Sequence, residues 1–193
     1  MSGKYYISAQ SLLDDAFRLG AMVEQSGFVP TFILALWRGG VPIGIAVQEY
    51  LAYRGLRADH IAIRTASYSG VDKREPEVQI YGINYLLKSM GHTDRLLIVD
   101  DVFDTGHTIK ALIAHLNQAA RKNAPAEIRI AVPYYKPNRN QTDRVPDYYL
   151  HETDAWIKFP HSLEGLTAEE VEQNRPELFE ILKPALNGNA SEG

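Results

Sequence analysis

The sequence predicts a single α/β domain built on a mainly parallel central sheet flanked by helices. Three observations carry that expectation. Short, almost uninterrupted apolar runs recur at Thr31–Leu36, Arg95–Asp100 and Ile128–Val132, the pattern of strands buried on both faces. Segments with helical apolar spacing lie between them. The intervening connections are long enough for crossovers, which join parallel neighbours. A length of 193 residues fits one domain at roughly 100 to 200 residues each, and no repeat, low-complexity tract or linker divides the chain.

Each element can be justified in order. From Ser8 to Gln25, Leu12, Leu13, Ala16, Phe17, Gly20 and Val23 recur at helical spacing, with Ser8 placed as a cap. Thr31–Leu36 forms the first buried strand. Trp37-Arg-Gly-Gly-Val41 breaks it, and Pro42 suits the first turn of a helix reaching about Arg54. His60–Arg64 alternates as a second strand. Residues 69–79 are polar and charged without an apolar face, which predicts an exposed loop. A short helix near Gly82 to Met90 follows. The strand at Arg95–Asp100 ends in two aspartates, and a loop from Asp101 to Thr108 enters a helix running to about Lys122. Ile128–Val132 and Asp147–Leu150 predict two further strands. Thr167-Ala-Glu-Glu170 is a capping-box pattern that opens a C-terminal helix, which Pro176 must interrupt or restart. The tail, 187–193, is expected to be disordered.

Composition narrows the partners. Hydrophobic residues make up 45% and charged residues 23%, which excludes a disordered chain. A formal charge of -4 gives no broad attraction to nucleic acid or anionic membrane. Cysteine is absent, which removes disulfides, thiolate catalysis and cysteine zinc sites. No apolar run approaches the roughly 18 residues of a membrane span, and MSGKYYISAQ lacks a signal core. The expectation is a soluble, cytoplasmic protein with neither nucleic acid nor membrane as partner.

In an open α/β sheet, ligands bind beyond the carboxyl ends of the strands. The richest such loop here lies in Leu96-Leu-Ile-Val-Asp-Asp-Val-Phe-Asp-Thr-Gly-His-Thr108. A buried strand ends in Asp100 and Asp101, then Asp104, Thr105, Gly106, His107 and Thr108 enter a helix. Gly106 permits a tight turn, the two threonines add hydroxyls, and amides at a helix N-terminus make a phosphate cradle. Asp100 and Asp101 are suited to ribose hydroxyls or to waters of a bound Mg²⁺. After the first strand, Arg38 supplies a fixed positive charge beside Gly39 and Gly40, whose bare backbone lets an anion approach.

The pattern of four apolar residues, two acids, three residues and then Thr-Gly-x-Thr resembles the phosphoribosyl pyrophosphate (PRPP) site of the type I phosphoribosyltransferases. That resemblance spans about residues 30 to 160 and implies that family's fold, with a small base-binding hood. Here the chain would add a C-terminal helical extension near 165–186. It implies that Asp104 to Thr108 anchor the 5′-phosphate, that Asp100 and Asp101 hold the ribose hydroxyls, and that Arg38 with Gly39 and Gly40 forms the pyrophosphate loop. A non-proline cis peptide often precedes those glycines, which here would be Trp37–Arg38. Ser67 and Tyr68, with the charged stretch that follows, match the family's flexible loop, which closes over the site. His107 occupies a variable place where lysine or glycine is common.

In the C-terminal half, Tyr135-Lys136-Pro137 follows a strand and Ala155-Trp-Ile-Lys-Phe-Pro160 comes later. These resemble the 6-oxopurine branch, in which a lysine donates to the purine O6, an aromatic ring stacks on the base, and the next backbone unit meets the far ring edge. Carried over, they are Lys136, Trp156 and Ile157. The implied reaction is Mg²⁺-dependent transfer of phosphoribose from PRPP to a purine base, yielding a purine nucleoside monophosphate and pyrophosphate. The best candidate to take the base's proton or to stabilise positive charge on its imidazole ring is Asp104, and a homo-oligomer is expected. Two alternatives stand beside this reading: a PRPP- or nucleotide-sensing regulator with the same fold, and transfer to another base.

Overall fold

The computed structural model describes residues 4–68 and 77–188. A seven-stranded sheet forms the centre. Its backbone is the parallel set β2 (Phe32–Trp37), β3 (Asp59–Tyr68), β5 (Arg95–Val99), β7 (Glu127–Tyr135) and β8 (Tyr148–Glu152). In space β3 pairs β2, β2 pairs β5, β5 pairs β7 and β7 pairs β8, all parallel. One edge is closed by the antiparallel β4 (Glu77–Tyr81), hydrogen-bonded to β3. That strand includes the last three residues of the stretch expected to be loop; the rest of that stretch, 69–76, lies outside the described residues. Both β3 and β7 run several residues beyond their apolar alternation, because a strand held between partners keeps its ladder where side chains turn polar or aromatic.

Alternation along the strands divides the core into two layers. Ile33, Leu97, Val99 and Ala131 pack against α1 (Ala9–Gln25) and α2 (Gly40–Tyr53). Phe32, Leu34, Leu96, Ile98 and Ile130 face the other way, onto Leu86 of α3 (Asn84–Ser89) and Leu112 and Leu116 of α4 (His107–Ala120). Side chains buried this fully contribute about 1.5 to 3 kcal/mol each, so the sheet is the principal source of stability. On α1, Ser8 caps as expected by accepting from the Ser11 amide. Leu12, Ala16, Gly20 and Val23 are buried, but Leu13 and Phe17 are exposed. The apolar arc is therefore wider than the contact that α2 and the sheet make with it.

The strand expected to end at Asp100 is instead interrupted there. β6 (Val102–Phe103) pairs with Tyr134 and Tyr135 of β7 in the register that β5 has already set, Val99 opposite Ala131. Asp100 and Asp101 thus occupy a gap in one continuing strand.

A two-stranded parallel sheet stands apart from the main one. In it β1 (Lys4–Tyr6) pairs with β9 (Trp156–Lys158), neither of which the apolar pattern indicates. Beyond it, Thr167 and Glu170 close a reciprocal capping box on α5 (Ala168–Asn174), and α6 (Pro176–Gly188) begins at the proline. That helix takes in the first two residues of the expected tail; the remainder lies outside the described residues. Arg175 donates to the carbonyls of Ser162 and Phe159, both at 2.8 Å, fastening this extension to the segment after β9. Among the described residues, no helix is long and apolar enough to cross a membrane.

Candidate active site

A cleft of about 1010 Å³ opens between the carboxyl ends of the central strands and the small sheet. Arg38, Asp101, Asp104, Lys136, Trp156 and Lys158 line it, so five of these six are residues expected from the sequence.

The acidic gap forms its floor. The Asp100 amide donates to the Ala131 carbonyl at 3.2 Å, and the Asp101 amide donates to Asp100 Oδ1 at 2.9 Å. Loss of water, and then the neighbouring charge of Asp101, push the Asp100 carboxyl well above the ordinary carboxylate range. A cation there would relieve both effects. Asp101 Oδ2 also lies 3.5 Å from His161 Nε2. The two glycines lock against this floor. A Cβ on Gly40 would overlap the Val99 carbonyl oxygen, and one on Gly39 would overlap the Asp101 carboxylate. Both are dictated by space rather than by dihedral angle. The Trp37–Arg38 peptide is cis, as the sequence resemblance implied. Arg38 Nη2 meets Glu164 Oε2 at 2.9 Å, both side chains being exposed.

Gly106 precedes α4 with φ of 80°, a conformation that favours glycine. No side chain caps this helix, which leaves the first-turn amides open to an anion. Thr105 and Thr108 flank this turn. The 105 carbonyl accepts from the Gln141 amide at 3.0 Å, and His107 Nε2 lies 2.9 Å from Gln141 Oε1. His107 is thus tied to the loop after β7. Ser67 and Tyr68 end β3, opposite Val78 and Glu77.

Asp104 joins the two halves of the site. Its Oδ1 accepts from Arg139 Nε at 2.5 Å and its Oδ2 lies 3.3 Å from Lys136 Nζ. Lys136 is buried, and its amide donates to the Phe103 carbonyl, which holds it beside β6. Across the cleft Trp156 is 56% exposed, far from the burial usual for tryptophan, so its ring is a surface of the cleft rather than part of the core. Ile157 follows, half-buried. Lys158, itself buried, has its Nζ 5.6 Å from the Trp156 ring centroid.

Sequence reasoning missed Lys4, Arg139, Lys158, His161 and Glu164. Arg139 and Lys158 each lie within three residues of a residue singled out, but an isolated charge there has no motif to mark it. Among the described residues no group of three or more His, Asp or Glu side chains could by itself hold a metal ion. A carboxylate pair still suits Mg²⁺, which is commonly held by one or two carboxylates with water and substrate phosphates.

Known proteins resemble this chain in sequence and fold. The phosphoribosyl transferase domain matches residues 8–166. The hypoxanthine-guanine phosphoribosyltransferase of Lactococcus lactis subsp. lactis (strain IL1403) is 26% identical over 186 residues, covering 94% of this chain and 91% of the relative. The crystal structure of purine phosphoribosyltransferase from Pyrococcus horikoshii OT3 superposes with a TM-score of 0.69 at 28% identity, over 85% of this chain and 97% of that one. A hypothetical protein from Neisseria gonorrhoeae, solved with bound ppGpp, shares the fold with a TM-score of 0.68 at 18% identity, over 91% and 96% of the two chains.

Proposed function

The chain belongs to the phosphoribosyl transferase domain family, and from that premise we propose that it moves the 5-phosphoribosyl group of PRPP onto a 6-oxopurine. The base is hypoxanthine or guanine, with xanthine as a further candidate; the products are the nucleoside 5′-monophosphate and pyrophosphate, and the role is purine salvage. The observation that carries this reading is that Lys136 and Trp156 open into the same cleft as the acidic pair. A donor for a carbonyl and a flat apolar platform thus share one cavity with the acidic pair and with Asp104, the first residue of the proposed phosphate turn. A cytoplasmic homo-oligomer belongs to the same proposal.

In this mechanism the first-turn amides of α4, with Thr105 and Thr108, anchor the 5′-phosphate. Asp100 and Asp101 hold the ribose hydroxyls and fit a Mg²⁺ ion, because a cation offsets the loss of water and the neighbouring charge that together raise the Asp100 pKa. When bound, the metal supplies positive charge against the pyrophosphate. Arg38 and the amides of Gly39 and Gly40 stabilise the departing pyrophosphate, which requires Arg38 to exchange Glu164 for phosphate oxygens. As the bond to C1 breaks, the ribose carries cationic character, and positioned charge accounts for most of the acceleration. Asp104, held between two cations, is suited to stabilise positive charge on the imidazole ring of the base. It is also the candidate to take the base's proton. Stacking on Trp156 serves any flat base, whereas Lys136 selects a carbonyl at C6 over an amino group.

A panel of radiolabelled bases with PRPP and Mg²⁺ tests the reading. Hypoxanthine and guanine should be converted and adenine disfavoured by roughly 10⁴ in kcat/KM, the discrimination available to a site built for one hydrogen bond. Lys136→Ala should lower kcat/KM for the 6-oxopurines and narrow that gap. Preferred use of adenine, or selectivity unmoved by Lys136→Ala, would remove the 6-oxopurine assignment. PRPP binding with no base converted would favour the regulatory alternative.

A further inference from the structure

Two ammonium groups are enclosed in the cleft wall, and only one has a carboxylate. Lys136 and Lys158 are each 4% exposed, yet both line the cavity. Lys136 pairs with Asp104. Among the described residues, no carboxylate lies within ion-pair distance of Lys158. Glu170 feels Lys158 only as a minor influence beside Lys4, which holds its carboxyl low. Among the described residues, the one hydrogen bond of the Lys158 ammonium goes to the Glu164 carbonyl at 2.8 Å. An ammonium has three donors, so two are left without acceptors among the described residues.

An enclosed, unpaired charge is unfavourable unless something offsets it. Positions 156 and 158 project from the same face of β9, and the Lys158 Nζ lies over the Trp156 ring, 5.6 Å from its centroid. A base stacked on that face of Trp156 would meet the ammonium at its edge. Nearby, Gly165 has φ of 72°, and a Cβ there would come within 3.4 Å of Nζ. The glycine therefore also keeps this group uncrowded.

We propose that Lys158 reads the C2 edge of the base, so that the site prefers a purine with oxygen at both C2 and C6. The proposal rests on the purine-transferase reading above. With Lys136 at one carbonyl and Lys158 at the other, a 2,6-dioxopurine satisfies both ammonium groups. A purine with hydrogen at C2 leaves Lys158 without its acceptor, and an amino group at C2 sets donor against donor. Two carbonyls also make the ring more acidic than one does, and a buried ammonium favours the resulting anion.

The experiment compares kcat/KM for xanthine, hypoxanthine and guanine in the wild type and in Lys158→Met, a substitution of similar length without charge. Expected is the order xanthine, hypoxanthine, guanine. Lys158→Met should cut the xanthine value by roughly 10- to 100-fold, the range for losing a hydrogen bond to a charged donor. The ratio of the xanthine to the hypoxanthine value should fall with it, since hypoxanthine makes no bond there. A wild type slower on xanthine than on hypoxanthine overturns the proposal. So does an equal loss on all three bases, which would mark Lys158 as a prop for the small sheet. Should Lys158→Met fail to fold, calorimetry on the wild type decides. The xanthine nucleotide should bind more tightly than the hypoxanthine nucleotide, and equal affinities overturn the assignment. Failure to convert any purine would instead strike the parent reading.

Discussion

Asp104 is the residue on which the proposed chemistry converges. Its two oxygens are divided between Arg139 and Lys136, beside the place where the base would gain a positive charge in the proposed reaction. Asp104→Asn retains an acceptor and the size of the side chain but removes the charge. The variant should fold and bind PRPP, and its kcat should fall by about 10² to 10⁴, the usual contribution of a positioned acid–base or charge-stabilising group. Steady-state kinetics with hypoxanthine, beside a PRPP titration, measures both; a near-normal kcat would take Asp104 out of the mechanism. Asp104 could be singled out from sequence because apolar strand, acids, glycine and helix fall in one register. Arg139 could not, because its distance from Asp104 depends on how the turn after β7 folds back. Lys136 and Trp156 could each be named, but the ion pair between Lys136 and Asp104 is a fact of three dimensions alone.

At the scale of elements, the site depends on a break within one strand and on a helix start pressed against it. Gly40 begins α2 directly over Val99 and Asp100, where backbone meets backbone with no flexible side chain to yield. Gly40→Ala must therefore push α2 away from β5. Overpacking of this kind costs about 1 to 3 kcal/mol, and for a chain of this size each kcal/mol lowers Tm by roughly 2 to 4 °C. Calorimetry should show that fall together with weaker PRPP binding; an unchanged Tm would mean the interlock is looser than the geometry requires. The strands β2, β5 and β7 were legible because burial on both faces demands continuous apolar runs. The other strands left fainter traces. β6 has two residues and hides inside the acidic motif, β4 (Glu-Val-Gln-Ile-Tyr) alternates only over five residues that begin inside a polar stretch, and β1 and β9 are defined only by each other. The exposure of Leu13 and Phe17 was illegible for a related reason, since periodicity reports which residues share a face but not how much of it a neighbour covers.

Taken whole, the molecule sets a seven-stranded sheet, with Asp100 and Asp101 at the carboxyl end of a central strand, against a small sheet that carries Trp156. A ligand spanning phosphate turn, acids and Arg38 binds the folded chain alone and stabilises it by mass action. PRPP with Mg²⁺ at about 100 times its Kd should add about 2.7 kcal/mol, raising Tm by roughly 5 to 11 °C for a chain of this size. EDTA should erase most of that rise. A shift indifferent to EDTA would detach the acidic pair from the metal. The pairing of β1 with β9 has one more consequence, which concerns time rather than space. Lys4 finds its partner in Trp156, so a segment made early on the ribosome waits for about 150 more residues before its ladder can close, a long-range contact of the kind that forms slowly. During that wait the central strands can already be assembling, while the platform for the base has no edge to hold it. A nascent chain would thus complete the proposed phosphate site before the proposed base site.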